Sequence, residues 1–306
     1  MFLSITLVLS GCDAVSNGTF PGIGNSGVLK GDTSGPPFQR PELLLSPFSF
    51  ENVTYGSNGT MVDTSSISKG YVGAAGYSSA YLIFQVTLGA MSYNYPLPND
   101  GTPIICPLNM GDGNYTFTVW QNTSGNNYIE LDTPVTANVL LENEFMPFLR
   151  PSYFCTYNAS SNCVAFANDL TKDAQNQGDV VAAIYNWIAG NISYDYDKAA
   201  AVVHATDYIP SPDETLRSRK GICFDFSSLA AAMLRSQGIP CIVRTGDVSP
   251  DNIYHAWNMV YIDGTWKTAY FTIDAHTWKL IDTTFASGGS NNYIGDGTEY
   301  STRYNY

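Results

Sequence analysis

The stretch Gly221-Ile222-Cys223-Phe224-Asp225-Phe226-Ser227-Ser228-Leu229-Ala230-Ala231-Ala232-Met233-Leu234 decides how this chain is read. Phe226, Leu229, Ala230, Met233 and Leu234 recur with the helical period, which predicts a helix over 226–237 that stops at Gly238-Ile239-Pro240. Cys223 stands at the N-terminus of that helix, and Gly221 before it permits a tight entry that aims the thiol outward. Unpaired N–H groups and the positive end of the helix dipole favour a thiolate there. The same N–H groups can stabilise an oxyanion on an attacked carbonyl. A lone cysteine is more often an inert buried thiol. The glycine before it and the helix after it reverse that reading.

Working outward, the next chemistry lies downstream. The sequence holds three histidines, His204, His255 and His276, and His255 opens the most strand-like run, Ala256 to Ile262. Trp278-Lys279-Leu280-Ile281-Asp282 is a short strand ending in a carboxylate that can orient an imidazole. A thiol, a base and an orienting acid are the parts of a nucleophilic triad: Cys223, His255 and Asp282. Asp274 is the fallback for the acid, while Asp225, His204 and His276 read as structural or surface residues. Upstream, Asp179 can cap a helix in which Val181, Ile184, Tyr185 and Ile188 share a face and Gly190 ends the run. Helices followed by strands at 241–245, 256–262, 268–273 and 278–282 indicate an α+β domain.

The motifs in their order, G-x-C-x-D-F-S, then G-I-P, then His255-Ala256-Trp257-Asn258, then Asp263-Gly264-x-Trp266, then W-x-x-I-D-x-T-F, resemble the transglutaminase-like superfamily over about 180–285. The resemblance implies a papain- or transglutaminase-like α+β domain, with Cys223 as nucleophile, His255 as general base and acid, and Asp282 as the orienter of His255. One departure stands out. Where the family places its Asp four residues after the Trp of the D-G turn, this chain has Tyr270, and the same spacing recurs as Trp278 to Asp282, which reads as an inserted turn and strand.

The first half has another texture. Residues 81–88, 92–95 and 114–120 are aromatic, β-branched or alternating, and Pro98–Gly101, Gly111–Asn114 and Ser124–Asn127 supply turns between them. This predicts an N-terminal antiparallel β-sandwich of Ig-like type. The apolar run Met1–Leu9 is too short to span a bilayer and ends in Leu9-Ser10-Gly11-Cys12, which resembles a bacterial lipoprotein signal with Cys12 as the lipidated residue. The expected organisation is therefore a signal peptide at 1–11, a flexible Gly/Ser/Pro-rich tether at 12–40, the sandwich at 41–150 and the catalytic domain at 151–306.

No C-x-x-C pair exists among the six cysteines, so zinc-ribbon and thioredoxin readings fall away. Export would permit a disulfide between Cys155 and Cys163, eight residues apart. Net charge is −13, spread over both halves, with no Lys/Arg run, which argues against nucleic acid as a partner. Walker A, H-E-x-x-H and G-x-S-x-G patterns are missing, as is any EF-hand loop, so neither cofactor nor metal is expected. The reading is an exported, lipid-anchored thiol enzyme acting on a protein, peptide or peptidoglycan-type amide, with hydrolysis favoured over transamidation. The rival is a non-catalytic cell-surface binding or adhesion module that uses the sandwich.

Overall fold

The computed structural model describes residues 3–4, 38–202, 205, 207–248, 253–262, 266–267, 272–273, 278–281, 284 and 300–306. Cys12, His204, Asp274, His276 and Asp282 lie outside the described residues. The chain divides into two compact units. The first holds Leu45–Pro147 and the second Phe148–Tyr306, which also takes in the described residues 38–44.

The first unit is built from two antiparallel sheets. One contains β1 (Val53–Tyr55), β2 (Thr60–Asp63), β3 (Tyr71–Gly76) and β6 (Ile104–Pro107), in that order across the sheet. The other centres on β4 (Leu82–Leu88) and β7 (Gly113–Ser124), with β5 (Met91–Leu97) beyond β4. On its far side β7 pairs with both β8 (Asn127–Glu130) and β9 (Val135–Val139). The period-two pattern explains the burial: Tyr115, Phe117 and Val119 of β7 are all buried, and the Tyr115 and Phe117 rings stack at 6.0 Å. Val62 of the first sheet and Phe117 and Val119 of the second line one cavity, so core side chains from both sheets meet. The strands over 60–63, 71–76 and 104–107 carried no clear alternation in the sequence. The first two are buried at every position, which erases the inside–outside contrast that marks a strand.

The second unit is mixed α and β. Its helices are α1 (Asn162–Leu170), α2 (Gln177–Asn191), α3 (Tyr196–Val202), α4 (Pro212–Ser218) and α5 (Cys223–Ser236). An antiparallel four-stranded sheet follows in the order β12 (Trp278–Ile281), β11 (Ile253–Tyr261), β10 (Cys241–Val248), β13 (Tyr300–Asn305). Helices α1, α2 and α4 pack on α5 from one side, and β10 and β11 from the other. Every residue from Asp225 to Ser236 is therefore buried, not only the apolar face that the sequence marks. The guanidinium caught in this core is fully engaged. Arg235, only 1% exposed, donates to the carbonyls of Cys241, Arg150 and Tyr306 and to the Ser152 hydroxyl at 2.8–3.1 Å.

Three expectations change here. The cap of α2 is Asn176, whose side chain accepts the Asp179 N–H at 2.9 Å; Asp179 instead accepts the Gln175 N–H from inside the first turn. The end of the expected tether is fixed, because Arg40 donates to Gln237 at 2.7 Å and to the Asn168 carbonyl at 2.8 Å. The Cys155–Cys163 disulfide is not formed, and both thiols are free and buried. Cys155 turns its sulfur to the Ser228 carbonyl of α5, while Cys163 sits in the first turn of α1 against Asp213. Each thiol thus has its own polar neighbour. Burial first, and then Asp213, pushes the Cys163 thiol well above its ordinary range. Among the described residues no helix is long and apolar enough to cross a membrane.

Candidate active site

Cys223 is the first residue of α5 and is fully buried, with Ile222 as the N-cap. Isoleucine has no side-chain acceptor to cap a helix, so the local stabilisation comes from Asp225. Its carboxylate accepts the Ile222 N–H at 2.8 Å, the reciprocal half of a capping box. Gly221 is required for this turn, since a Cβ there would lie 2.5 Å from the Cβ of Asp225. Ser227 closes the first turn by donating to the Cys223 carbonyl at 2.9 Å.

Three further features hold the approach to Cys223. Ser193–Tyr194, just after α2, pair in parallel with Lys220–Gly221, just before the cysteine. The Asp195 N–H then donates to the Gly221 carbonyl at 2.9 Å, and the Asp195 side chain accepts the Lys198 N–H at 2.9 Å as α3 begins. Arg219 adopts a left-handed φ of 58° at the end of α4, and its guanidinium lies 4.3 Å from the Trp187 ring centroid.

His255 lies on β11 opposite Gly246 of β10 and is buried. Along the strand His255 and Trp257 share one face, their rings stacked with centroids 6.4 Å apart. Ala256 and Asn258 share the face turned to α5: Ala256 packs on Cys223 in one apolar cluster with Phe224, and the Asn258 amide donates to the Ser227 carbonyl at 3.0 Å. From Cys223 to Ser227 a helix rises about 6 Å, and from residue 256 to 258 a strand rises about 6.6 Å. The two contacts therefore keep step, and the strand runs alongside the first turn of the helix. The structure thus packs Cys223 on the His255 strand at Ala256, with the His255 ring on the strand's other face. β12 pairs with β11 as far as Ile281 opposite Asn258; the next residue, the expected orienter Asp282, lies outside the described residues, as does Asp274.

Among the described residues no cluster of His, Cys, Asp or Glu is arranged to hold a metal ion. Asp225, read from sequence as helix support, does more than that. Lys198 of α3 reaches it at 3.0 Å, and the Tyr208 hydroxyl donates to its other carboxylate oxygen. Neither partner was singled out in the sequence, because both contacts join segments far apart along the chain.

Residues 164–271, within the second unit, match the family model described as the Transglutaminase-like superfamily. Kyphoscoliosis peptidase of Homo sapiens is 28% identical over 146 residues, 44% of this chain and 20% of that protein. A UPF0252 protein of Methanocaldococcus jannaschii is 34% identical over 105 residues, 32% of this chain and 29% of that protein. The chain thus spans less than a third of the length of these two relatives. Among solved structures, a protein of Cytophaga hutchinsonii described as a candidate cysteine protease aligns with TM-score 0.40 and 16% identity, covering 77% of this chain and 83% of that one. Red sea bream transglutaminase aligns with TM-score 0.32 and 12% identity, covering 70% and 47%.

Proposed function

We propose that the second unit is a thiol enzyme acting on amide or peptide bonds. The observation that carries this is the place of Cys223 as the first residue of α5, where helix N–H groups favour a thiolate and an oxyanion. In the proposed reaction His255 accepts the Cys223 proton and the sulfur attacks the carbonyl carbon. N–H groups of the first turn of α5, which have no acceptor within the helix, receive the oxyanion. The C–N bond then breaks, His255 passes the proton to the leaving amine, and a thioester remains on Cys223. Asp282, which follows Ile281 at the end of β12, is the proposed orienter of His255. Water cleaves the thioester to a carboxylate; an amine in place of water gives transamidation. Hydrolysis is favoured because water is always available.

The substrate class that follows is a protein, peptide or peptidoglycan-type amide. The first unit is proposed to be an Ig-like sandwich. Its support is the way strands alternate between sheets, with β3 pairing β6 in one and β4 pairing β7 in the other. Attachment to a membrane through lipidated Cys12, after export, completes the reading. The test is an electrophilic amide probe on the reduced protein. Labelling at Cys223 that disappears in Cys223→Ala and His255→Ala supports the enzyme, and a reduced protein that takes no label at neutral pH overturns it in favour of a binding module.

A further inference from the structure

The carboxylate of Asp225 is 1% exposed and holds three donors. One oxygen accepts the Ile222 N–H at 2.8 Å and the Lys198 ammonium at 3.0 Å, and the other accepts the Tyr208 hydroxyl. The Ile222 N–H belongs to the Gly221–Ile222 peptide, one peptide unit before the one that enters Cys223. The position of that peptide therefore depends on where the carboxylate is held. The carboxylate in turn is held by two side chains from outside α5: Lys198 on α3, and Tyr208 in the segment leading to α4. Lys198 is delivered there by the parallel pairing of Ser193–Tyr194 with Lys220–Gly221 and by the Asp195 cap of α3. The ammonium also lies 5.7 Å from the Tyr208 ring centroid, so the three groups form one closed cluster. A carboxylate this buried is costly unless its charge is paired and its lone pairs are used. Burial, and next Asp225, raises the Tyr208 phenol far above its ordinary range, which keeps it a donor.

We infer that Lys198 and Tyr208 are positioning residues, which act through Asp225 to fix the backbone presenting the Cys223 thiol. The inference rests on the proposed thiol chemistry of Cys223. It differs from a purely structural account in what it predicts: loosening the Asp225 clamp slows the reaction of a correctly folded site, not merely the number of folded sites. A displacement of about 1 Å in a reacting group can cost ~100-fold in rate.

The experiment uses the full chain, reduced, with iodoacetamide as the probe. Modification of the Cys223 peptide is followed by mass spectrometry, so that rate constant and final amplitude are read separately. Tyr208→Phe, which keeps the ring and removes one donor, and Lys198→Met are each expected to lower the rate constant about tenfold or more with unchanged amplitude. Lys198→Arg, which keeps a charged donor, is expected to restore most of the rate. Variants with the wild-type rate constant overturn the inference, whether or not their amplitude falls. A wild-type chain that leaves Cys223 unmodified overturns the thiol-enzyme reading, and this inference with it.

Discussion

The side-chain amide of Asn258 donates to the backbone carbonyl of Ser227 at 3.0 Å, and it ties the strand of His255 to the first turn of the helix that begins at Cys223. Asn258 is fully buried, and the same amide also reaches the Cys241 sulfur and the Ile242 carbonyl at 3.4 Å. Three elements, α5, β10 and β11, are thus pinned by one side chain beside the site.

Asn258→Leu removes this pin while roughly keeping the volume. A buried carbonyl left without its donor costs about 1–3 kcal/mol. The expected result is a lower urea midpoint with an unchanged slope, together with slower alkylation of Cys223. An unchanged midpoint would show that the Asn258–Ser227 contact holds nothing in place.

Burial, opposed by the nearby Arg235 charge, pushes the Cys155 thiol up to about 11, and burial likewise raises Cys241 to about 12. An unfolded cysteine titrates near ~8.5. Above that pH the unfolded chain has released a proton that the native protein still holds, so this contribution to stability is full below ~8.5 and fades as pH rises. The urea midpoint should therefore fall between about pH 9 and pH 11, and Cys155→Ala should make the fall shallower. A variant whose midpoint falls as steeply as that of the parent would remove Cys155 from this account.

Arg235 supplies charged donors to three buried carbonyls and one hydroxyl. Arg235→Met leaves all four without that donor, for an expected loss of about 3–5 kcal/mol. The loss is read as a drop in the denaturant midpoint. A change below about 1 kcal/mol would mean that water or a rearranged neighbour replaces the guanidinium.

If Cys12 carries the lipid, Cys12→Ser moves the protein from the membrane fraction to the soluble one in cells that process lipoproteins. Unchanged partitioning refutes the anchor.

The helix that carries Cys223 was legible because its signals are local: a glycine entry, an Ala/Leu face and a G-I-P stop, which bound α5 to within a few residues. The strands of Tyr81–Leu88 and Asn114–Trp120 were legible for the same reason, since β-branched and aromatic content in the first and an alternating pattern in the second are local signals. α1 was not expected, because Cys163 in a polar segment reads as a loop residue until Asp213, 50 positions later, accepts its N–H. α4 carried its own sign in Ser211-Pro212, a cap followed by a proline in the first turn, but so short a helix shows no period. The clamp on Asp225 belongs to the part that no local pattern encodes. Lys198 and Tyr208 are ordinary surface types in the sequence and acquire meaning only when the chain returns them to the same carboxylate.

The grip of Arg40 on Gln237, Asn168 and Thr171 bears on how this protein can be dissected. The chain contributes residues before Leu45 to the second unit, departs to build the whole first unit, and comes back at Phe148. The first unit is in this sense an insertion within the second. A fragment begun at Phe148 would lose a strap across the ends of α1 and α5, whereas excising Leu45–Pro147 and bridging the gap with a linker would keep it. The natural module boundary is therefore a pair of cuts.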